Sequence, residues 1–190
     1  MKTNNKFPKI EKGLPAGRQG FTLVETLVAV SILVLGVTGA FSAAHNGLVS
    51  SMYSKDQIIA FYLAQEGIEQ VRNLRDKNGL TGANWLSGVA NSGDPCEAGP
   101  PGLPGPLCYA DPLNSATPII RCSGACPYLK LNNNGFYSYD SGSDTKFRRE
   151  ILVTTIVAGR EILVESTVYW SRGLLVNKEF TASEYLFNWQ

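Results

Sequence analysis

The stretch Gly20-Phe21-Thr22-Leu23-Val24-Glu25 opens an apolar run that reaches Ala44. This run, residues 21–44, holds 24 residues, and as a helix it would measure about 36 Å, enough to cross a hydrocarbon core of about 30 Å. A carboxylate inside such a helix costs roughly 2.5 kcal/mol or more, and it is retained mainly where it has a partner and a role. Glu25 therefore indicates that the run is more than a passive anchor.

The charge of the chain is placed unevenly around this run. Residues 1–20 hold five Lys or Arg and one Glu, a net charge of +4, whereas the whole chain carries +1, which leaves −3 for the remainder. Because Lys and Arg accumulate on the cytoplasmic side of membrane segments, the bias predicts a single-pass protein of the cytoplasmic membrane with its C-terminal part outside. The mildly acidic remainder has no basic stripe, so no nucleic-acid partner is evident.

Three kinds of N-terminal segment share these features in part. A secretory signal peptide could be cut after Ala40-Phe41-Ser42, but its leader and apolar core would be long, and Glu25 would lie inside it. An uncleaved signal anchor that carries an extracytoplasmic binding module has no use for Glu25. The third kind is a leader that ends at Gly20, where a residue without a side chain suits a peptidase.

Gly20-Phe21-Thr22-Leu23-Val24-Glu25 resembles the processing site of type IV pilins and of the pseudopilins of type II secretion systems. The resemblance implies that residues 1–20 are a prepilin leader, that a prepilin peptidase cuts after Gly20, and that the same enzyme methylates the new amino terminus at Phe21. It also implies that Glu25 acts in assembly. Residues 26–33 resemble the minor members of the family more than the abundant ones.

The resemblance further implies what the protein does. It would be a structural subunit, a minor one, of a type IV pilus or a type II secretion-like pseudopilus, held in the membrane and then built into an extracellular or periplasmic filament. The implied partners are the prepilin peptidase, an assembly platform with its ATPase, and other pilin subunits. Glu25 lies about 6 Å along the axis from the amine that cleavage creates, and the family pairs such groups between neighbouring subunits. The rival is the signal-anchored binding module that enters no filament.

Beyond the membrane segment the helical period continues. Over residues 51–78 large apolar residues recur at three- and four-residue intervals: Ile58, Phe61, Tyr62, Leu63, Ile68, Val71 and Leu74. We therefore expect one helix over residues 21–78, membrane-spanning over 21–44, with a stop at Asn78-Gly79. A break near His45-Asn46-Gly47 is the alternative.

The C-terminal residues, 136–190, predict an antiparallel meander. Strand patterns cover 147–157, 161–171 and 174–189, with short turns between them, and residues 136–139 are a candidate edge strand. Ile162, Val164, Val168 and Trp170 share one face, which needs a cover that the amphipathic half of the helix can supply. The predicted fold is α+β, with a long N-terminal helix packed on a C-terminal antiparallel sheet.

Residues 79–135 are a Gly/Pro-rich region, and within them residues 79–118 are predicted to be loop rather than core. The four cysteines of the chain lie here: Cys96, Cys108, Cys122 and Cys126. Disulfides persist on the predicted outer side of the membrane. Of the three possible pairings, Cys96–Cys108 and Cys122–Cys126 are favoured because each pair is close in sequence, and a zinc site is the alternative.

Motifs that carry chemistry are few. The stretch from Asp140 to Asp144 places oxygen ligands on alternate positions around a glycine, which suits calcium, but no bidentate Glu follows, and an ordinary turn is the favoured interpretation. The only histidine, His45, has no evident partner. Neither a phosphate-binding glycine loop nor a nucleophile motif is present. The sequence therefore predicts a protein that is no enzyme and needs no cofactor.

Overall fold

A computed structural model describes residues 20–114, 118–171 and 177–188 of the chain. The predicted leader, residues 1–20, lies outside these described residues except for its last residue, Gly20. The chain divides into two compact units, Met1–Val49 and Ser50–Gln190. The described part of the first unit is almost wholly helical, and the second unit holds the end of the same helix together with the β-strands.

One helix, α1, runs from Leu23 to Thr81. It passes through His45-Asn46-Gly47 without interruption, so the predicted alternative of a break there is wrong. The helix also ends three residues later than the predicted stop at Asn78, because the glycine that takes a positive φ is Gly82, at 70°. The N–H of Ala83 then donates to the carbonyl of Asn78 at 3.0 Å, as in a Schellman cap.

Seven strands form one antiparallel sheet among the described residues. They are β1 (Cys108–Ala110), β2 (Ile119–Arg121), β3 (Tyr128–Leu131), β4 (Tyr137–Ser138), β5 (Ser143–Val157), β6 (Glu161–Ser171) and β7 (Asn177–Phe187). The long strand β5 is central, and one of its edges carries β6, which carries β7 in turn. The other edge carries β3 near its start and β1 further along, and these pair with β4 and β2.

The predicted α+β fold is confirmed, since within the second unit α1 packs on one face of this sheet. The alternation predicted for β6 is also confirmed: Ile162, Val164, Val168 and Trp170 are all buried. The apolar stripe predicted for the helix is confirmed in part: Leu63, Ile68 and Val71 are buried in the core. Ile58 and Tyr62 remain 57% and 65% exposed, because the buried stripe follows small side chains that let the helix approach the sheet closely: Ala60, Ala64 and Gly67.

The region after the helix contributes more to the core than its composition predicts. Trp85, Leu86, Val89 and Ala90 are buried, and they join residues of α1 and of the sheet in one apolar cluster. The prediction that residues 79–118 are loop rather than core is therefore wrong for this part. The turns interrupt any helical or strand period here, so the sequence pattern does not identify these buried side chains.

Gly67 has a packing role, and replacing it by alanine is expected to destabilise the second unit. A Cβ at this position would lie 2.5 Å from Oγ of Ser166 and 3.0 Å from Cδ of Arg149. Overpacking costs about 1–3 kcal/mol, whereas the better helix propensity of alanine returns about 1 kcal/mol. We expect a net loss of about 1 kcal/mol, measured as a lower urea midpoint in the fluorescence of Trp85 and Trp170.

A double-mutant cycle supplies the control. The Oγ of Ser166 is buried and makes no hydrogen bond among the described residues, so Ser166→Ala alone should change the unfolding free energy little. In the double variant the nearest obstacle to the new methyl group is gone, and part of the lost stability should return. Strictly additive effects would show that Gly67 and Ser166 do not meet in this way.

Candidate functional site

The predicted processing site lies immediately before the helix. Gly20 and Phe21 are outside α1 and exposed, and the Phe21 side chain is 75% exposed. A Cβ built on Gly20 would meet no atom within 4 Å. The Gly20–Phe21 peptide bond is therefore in the open, non-helical segment that a peptidase needs, with no side chain on its N-terminal side.

Glu25 lies in the first turn of α1, and its surroundings include a residue that sequence reasoning missed. Its backbone N–H donates to Oγ1 of Thr22 at 3.2 Å, so Thr22 caps the helix. Thr22 and Glu25 stand at the spacing of a capping box, which is the signal that could have identified Thr22. A first-turn acid also interacts favourably with the positive end of the helix dipole. The Glu25 carboxylate thus has a local role as well as the role predicted from the resemblance.

The first unit presents an apolar surface along its whole described length. Its large apolar side chains, from Phe21 to Val49, are all exposed. By length and composition α1 could cross a membrane: its most apolar window has a mean hydropathy of 2.2, and none of that window is buried. Exposed apolar area of this extent needs lipid or another protein surface to cover it.

The structure joins the two cysteine pairs that the sequence spacing favours. Cys96 bonds to Cys108 with their Cα atoms 5.5 Å apart, and Cys122 bonds to Cys126 with theirs 4.9 Å apart. No cysteine is free, so the zinc alternative is wrong. In the chain-entropy estimate the larger loop contributes about 3 kcal/mol and the smaller about 2 kcal/mol to the unfolding free energy.

The Cys96–Cys108 disulfide holds the proline-rich segment against the sheet. Between the two cysteines, the N–H groups of Gly102 and Gly105 donate to the carbonyls of Thr155 and Val153, at 2.8 and 3.0 Å. The segment thus covers the end of β5 that β1 leaves open, and it protects an exposed strand edge from other chains.

The geometry at Asp140 and Asp144 gives the calcium hypothesis no support. Asp144 stands opposite Lys130 in the β3–β5 pairing, and Nζ of Lys130 donates to the carbonyl of Asp140 at 3.4 Å. The ammonium group of Lys130 therefore already lies beside the oxygens that a calcium ion would need. In the part of the chain that the structure describes, no group of three or more His, Cys, Asp or Glu could hold a metal ion.

Among the described residues, the most deeply buried charged group is one that sequence reasoning missed. Arg149 is fully buried on the helix-facing side of β5. It donates to the carbonyl of Leu63 at 2.9 Å and to Oε2 of Glu66 at 2.7 Å, and its other terminal nitrogen donates to the carbonyl of Ala110. One side chain thus ties α1, β5 and β1 together. Strand parity is the signal that could have identified it. Phe147 and Ile151, two residues before and after Arg149, are buried on the same face of β5, so Arg149 is expected to be buried there too.

Comparison with known families supports the N-terminal assignment. Residues 15–41 match the family described as the prokaryotic N-terminal methylation motif, so the match covers 27 of the 190 residues. No curated protein and no solved structure matches the chain. The motif supports a precursor of the type IV pilin or pseudopilin kind, and the long helix on an antiparallel sheet is a pilin-like arrangement.

Proposed function

We propose that this protein is a structural subunit, in a minor role, of a type IV pilus or a type II secretion-like pseudopilus. It is cut after Gly20 and assembled through its N-terminal helix. The observation that carries the proposal is a coincidence of three features within residues 15–41. The methylation motif, the exposed Gly20–Phe21 bond and a capped apolar helix with an acid in its first turn occur together.

Each feature has a physical role in this function. The apolar surface of the first unit holds the protein in the cytoplasmic membrane over residues 21–44 and later packs against other helices. Cleavage leaves an amine on Phe21, which is costly to bury alone, as is the carboxylate of Glu25. Pairing the amine of one subunit with the carboxylate of its neighbour removes both costs and sets the register between helices.

The proposal names the partners and the division of the chain. The prepilin peptidase removes residues 1–20, and an assembly platform with its ATPase moves the processed subunit into a filament of other pilins. Residues 79–135, with their two disulfides and strands β1 to β3, and residues 136–190, with strands β4 to β7, then face the exterior or the periplasm. The role is structural rather than enzymatic, and the minor role rests on the resemblance of residues 26–33.

The N-terminal residue and intact mass of the membrane-extracted protein test the proposal. With a prepilin peptidase present we expect the chain to begin at a methylated Phe21, and without it to begin at Met1. Gly20→Val is the matched control, because its branched side chain obstructs the cut, and Met1 should then persist in both conditions. A chain that begins at Ala43, or that keeps Met1 despite the peptidase, would contradict the proposal and favour a secreted or merely anchored protein.

A further inference from the structure

The sheet of the second unit has an open edge at β7, and a groove lies beside it. Among the described residues β7 pairs with β6 alone, over 11 consecutive residue pairs without a bulge. Over residues 178–186 its other edge therefore presents the unpaired N–H and C=O groups of alternate residues. A groove of about 540 Å³ lies between this strand and the exposed flank of α1. We refer to it as the α1–β7 groove.

The α1–β7 groove lies at the edge of β7 rather than over one face of the sheet. Glu184 points toward α1, where it is bonded to Arg72, and Ala182 packs on the core on the same side. Ser183 lies between them and points the other way, yet all three line the groove. An extended chain at the ordinary strand spacing of about 4.8 Å from β7 would therefore lie in the groove and reach the free backbone groups.

Carboxylates outnumber cations in the lining of the α1–β7 groove. Glu66, Glu69 and Glu184 line it together with a single guanidinium group, that of Arg72. Glu66 is already held from the sheet side by buried Arg149, at 2.7 Å. Glu69 and Glu184 share Arg72, and their side chains stay 47% and 32% exposed. The groove thus keeps a surplus of one negative charge beside the open edge.

The open edge and the surplus charge select two properties of one occupant. A row of free N–H and C=O groups pairs with an extended polypeptide backbone, as in β-strand addition, whereas a saccharide or a lipid has no matching row. A surplus carboxylate attracts a cationic side chain and repels an acidic one. Because side chains alternate along a strand, every second side chain of the added strand would point to the α1 side of the groove.

We propose that the α1–β7 groove binds an extended segment of a partner protein that carries Lys or Arg on its α1-facing side. The segment adds a strand to the sheet beside β7, and its cation donates charge-assisted hydrogen bonds to Glu69 and Glu184. Tyr62, which lines the groove and is 65% exposed, packs on the apolar stem of that cation. Main-chain hydrogen bonds supply the affinity, and the carboxylates supply the choice of side chain.

Titration of a fluorescent synthetic peptide with the full-length chain in detergent micelles tests this proposal, with the anisotropy of the peptide as the readout. The peptide alternates Thr and Lys over the length of β7. We expect saturable binding, and none by the same peptide with every backbone nitrogen methylated, which keeps the charge but lacks the N–H donors. A peptide that alternates Thr and Glu should bind at least about tenfold more weakly, because its carboxylates meet those of the groove.

Two variants of the chain separate the groove from its surroundings. Glu69→Gln removes the surplus charge and should weaken binding of the Thr/Lys peptide about fivefold, which corresponds to an ion pair of about 1 kcal/mol. Glu179→Gln is the matched control, since it makes the same charge change on β7 itself. Glu179 is exposed, stands opposite Tyr169 and does not line the groove, so this variant should bind the peptide as the unchanged chain does.

Amide hydrogen exchange locates the bound peptide. Binding should protect alternate amides of β7, namely those that are not bonded to β6, and leave the exchange of β2 and β4 unchanged. The proposal is overturned by protection confined to another element, by equal binding of the methylated or the acidic peptide, or by equal effects of Glu69→Gln and Glu179→Gln. Self-association of the chain that protects the same amides and excludes the peptide would assign the edge to a second copy instead. None of these results depends on whether the protein enters a filament.

Discussion

Glu25→Gln is expected to prevent incorporation into filaments while leaving cleavage after Gly20 intact. An amine and a carboxylate about 4 Å apart attract by about 4 kcal/mol at an effective dielectric of 20. Glutamine keeps the size and the hydrogen-bonding capacity of the side chain but loses the charge. At about 1.4 kcal/mol for each factor of ten, we expect the filament fraction of the processed subunit to fall more than about a hundredfold.

The measurement compares processed protein in sheared filaments with processed protein in the membrane, and the N-terminal residue is determined in both. The control is Thr22→Ala, because the structure gives Glu25 a second role next to Thr22. Glutamine also serves in a capping box, so Glu25→Gln spares the cap, whereas Thr22→Ala removes its hydrogen bond at a cost of about 1 kcal/mol. Normal incorporation of Glu25→Gln, or an equal defect in Thr22→Ala, would assign Glu25 to the helix cap instead.

How far the sequence predicts this molecule depends on how regular each segment is. The helix and the long strands follow from their periods, because burial on one face imposes a spacing of 3.6 or 2 residues. Where the spacing is irregular the prediction failed. Trp85 and Val89 belong to the core although they lie between turns, and no period identifies them.

Side-chain size also misled part of the prediction of the helix–sheet interface. The large side chains of Ile58 and Tyr62 stay exposed, whereas the helix approaches the sheet along Ala60, Ala64 and Gly67. A glycine inside a helix is expected to destabilise it by about 1 kcal/mol relative to alanine. That Gly67 instead allows close packing becomes visible only when the opposite surface is known. The row of Tyr128, Arg148, Tyr169 and Glu179 across the sheet could not be predicted either, because it depends on the pairing register of four strands.

Arg149→Ala is expected to destabilise the second unit more than any other single change considered. Removing one partner of a buried charged network costs about 3–5 kcal/mol, because the groups left behind stay unsatisfied. Here those groups are the carboxylate of Glu66, which loses its cation, and the buried carbonyl of Ala110, which loses its bond to Arg149. Against a typical total stability of about 5–15 kcal/mol, this loss is a large fraction. The urea midpoint, followed by the fluorescence of Trp85 and Trp170, measures it.

The neighbouring arginine is the matched control for this prediction. Arg148 has the same chemistry on the same strand but faces away from α1, and its side chain is partly exposed. Arg148→Ala should therefore change the unfolding free energy by about 1 kcal/mol or less. Arg149→Lys should give an intermediate loss, because one ammonium group cannot reproduce a fork that reaches acceptors on both α1 and β1. Equal effects of the two alanine variants would mean that Arg149 does not hold the helix, β5 and β1 together.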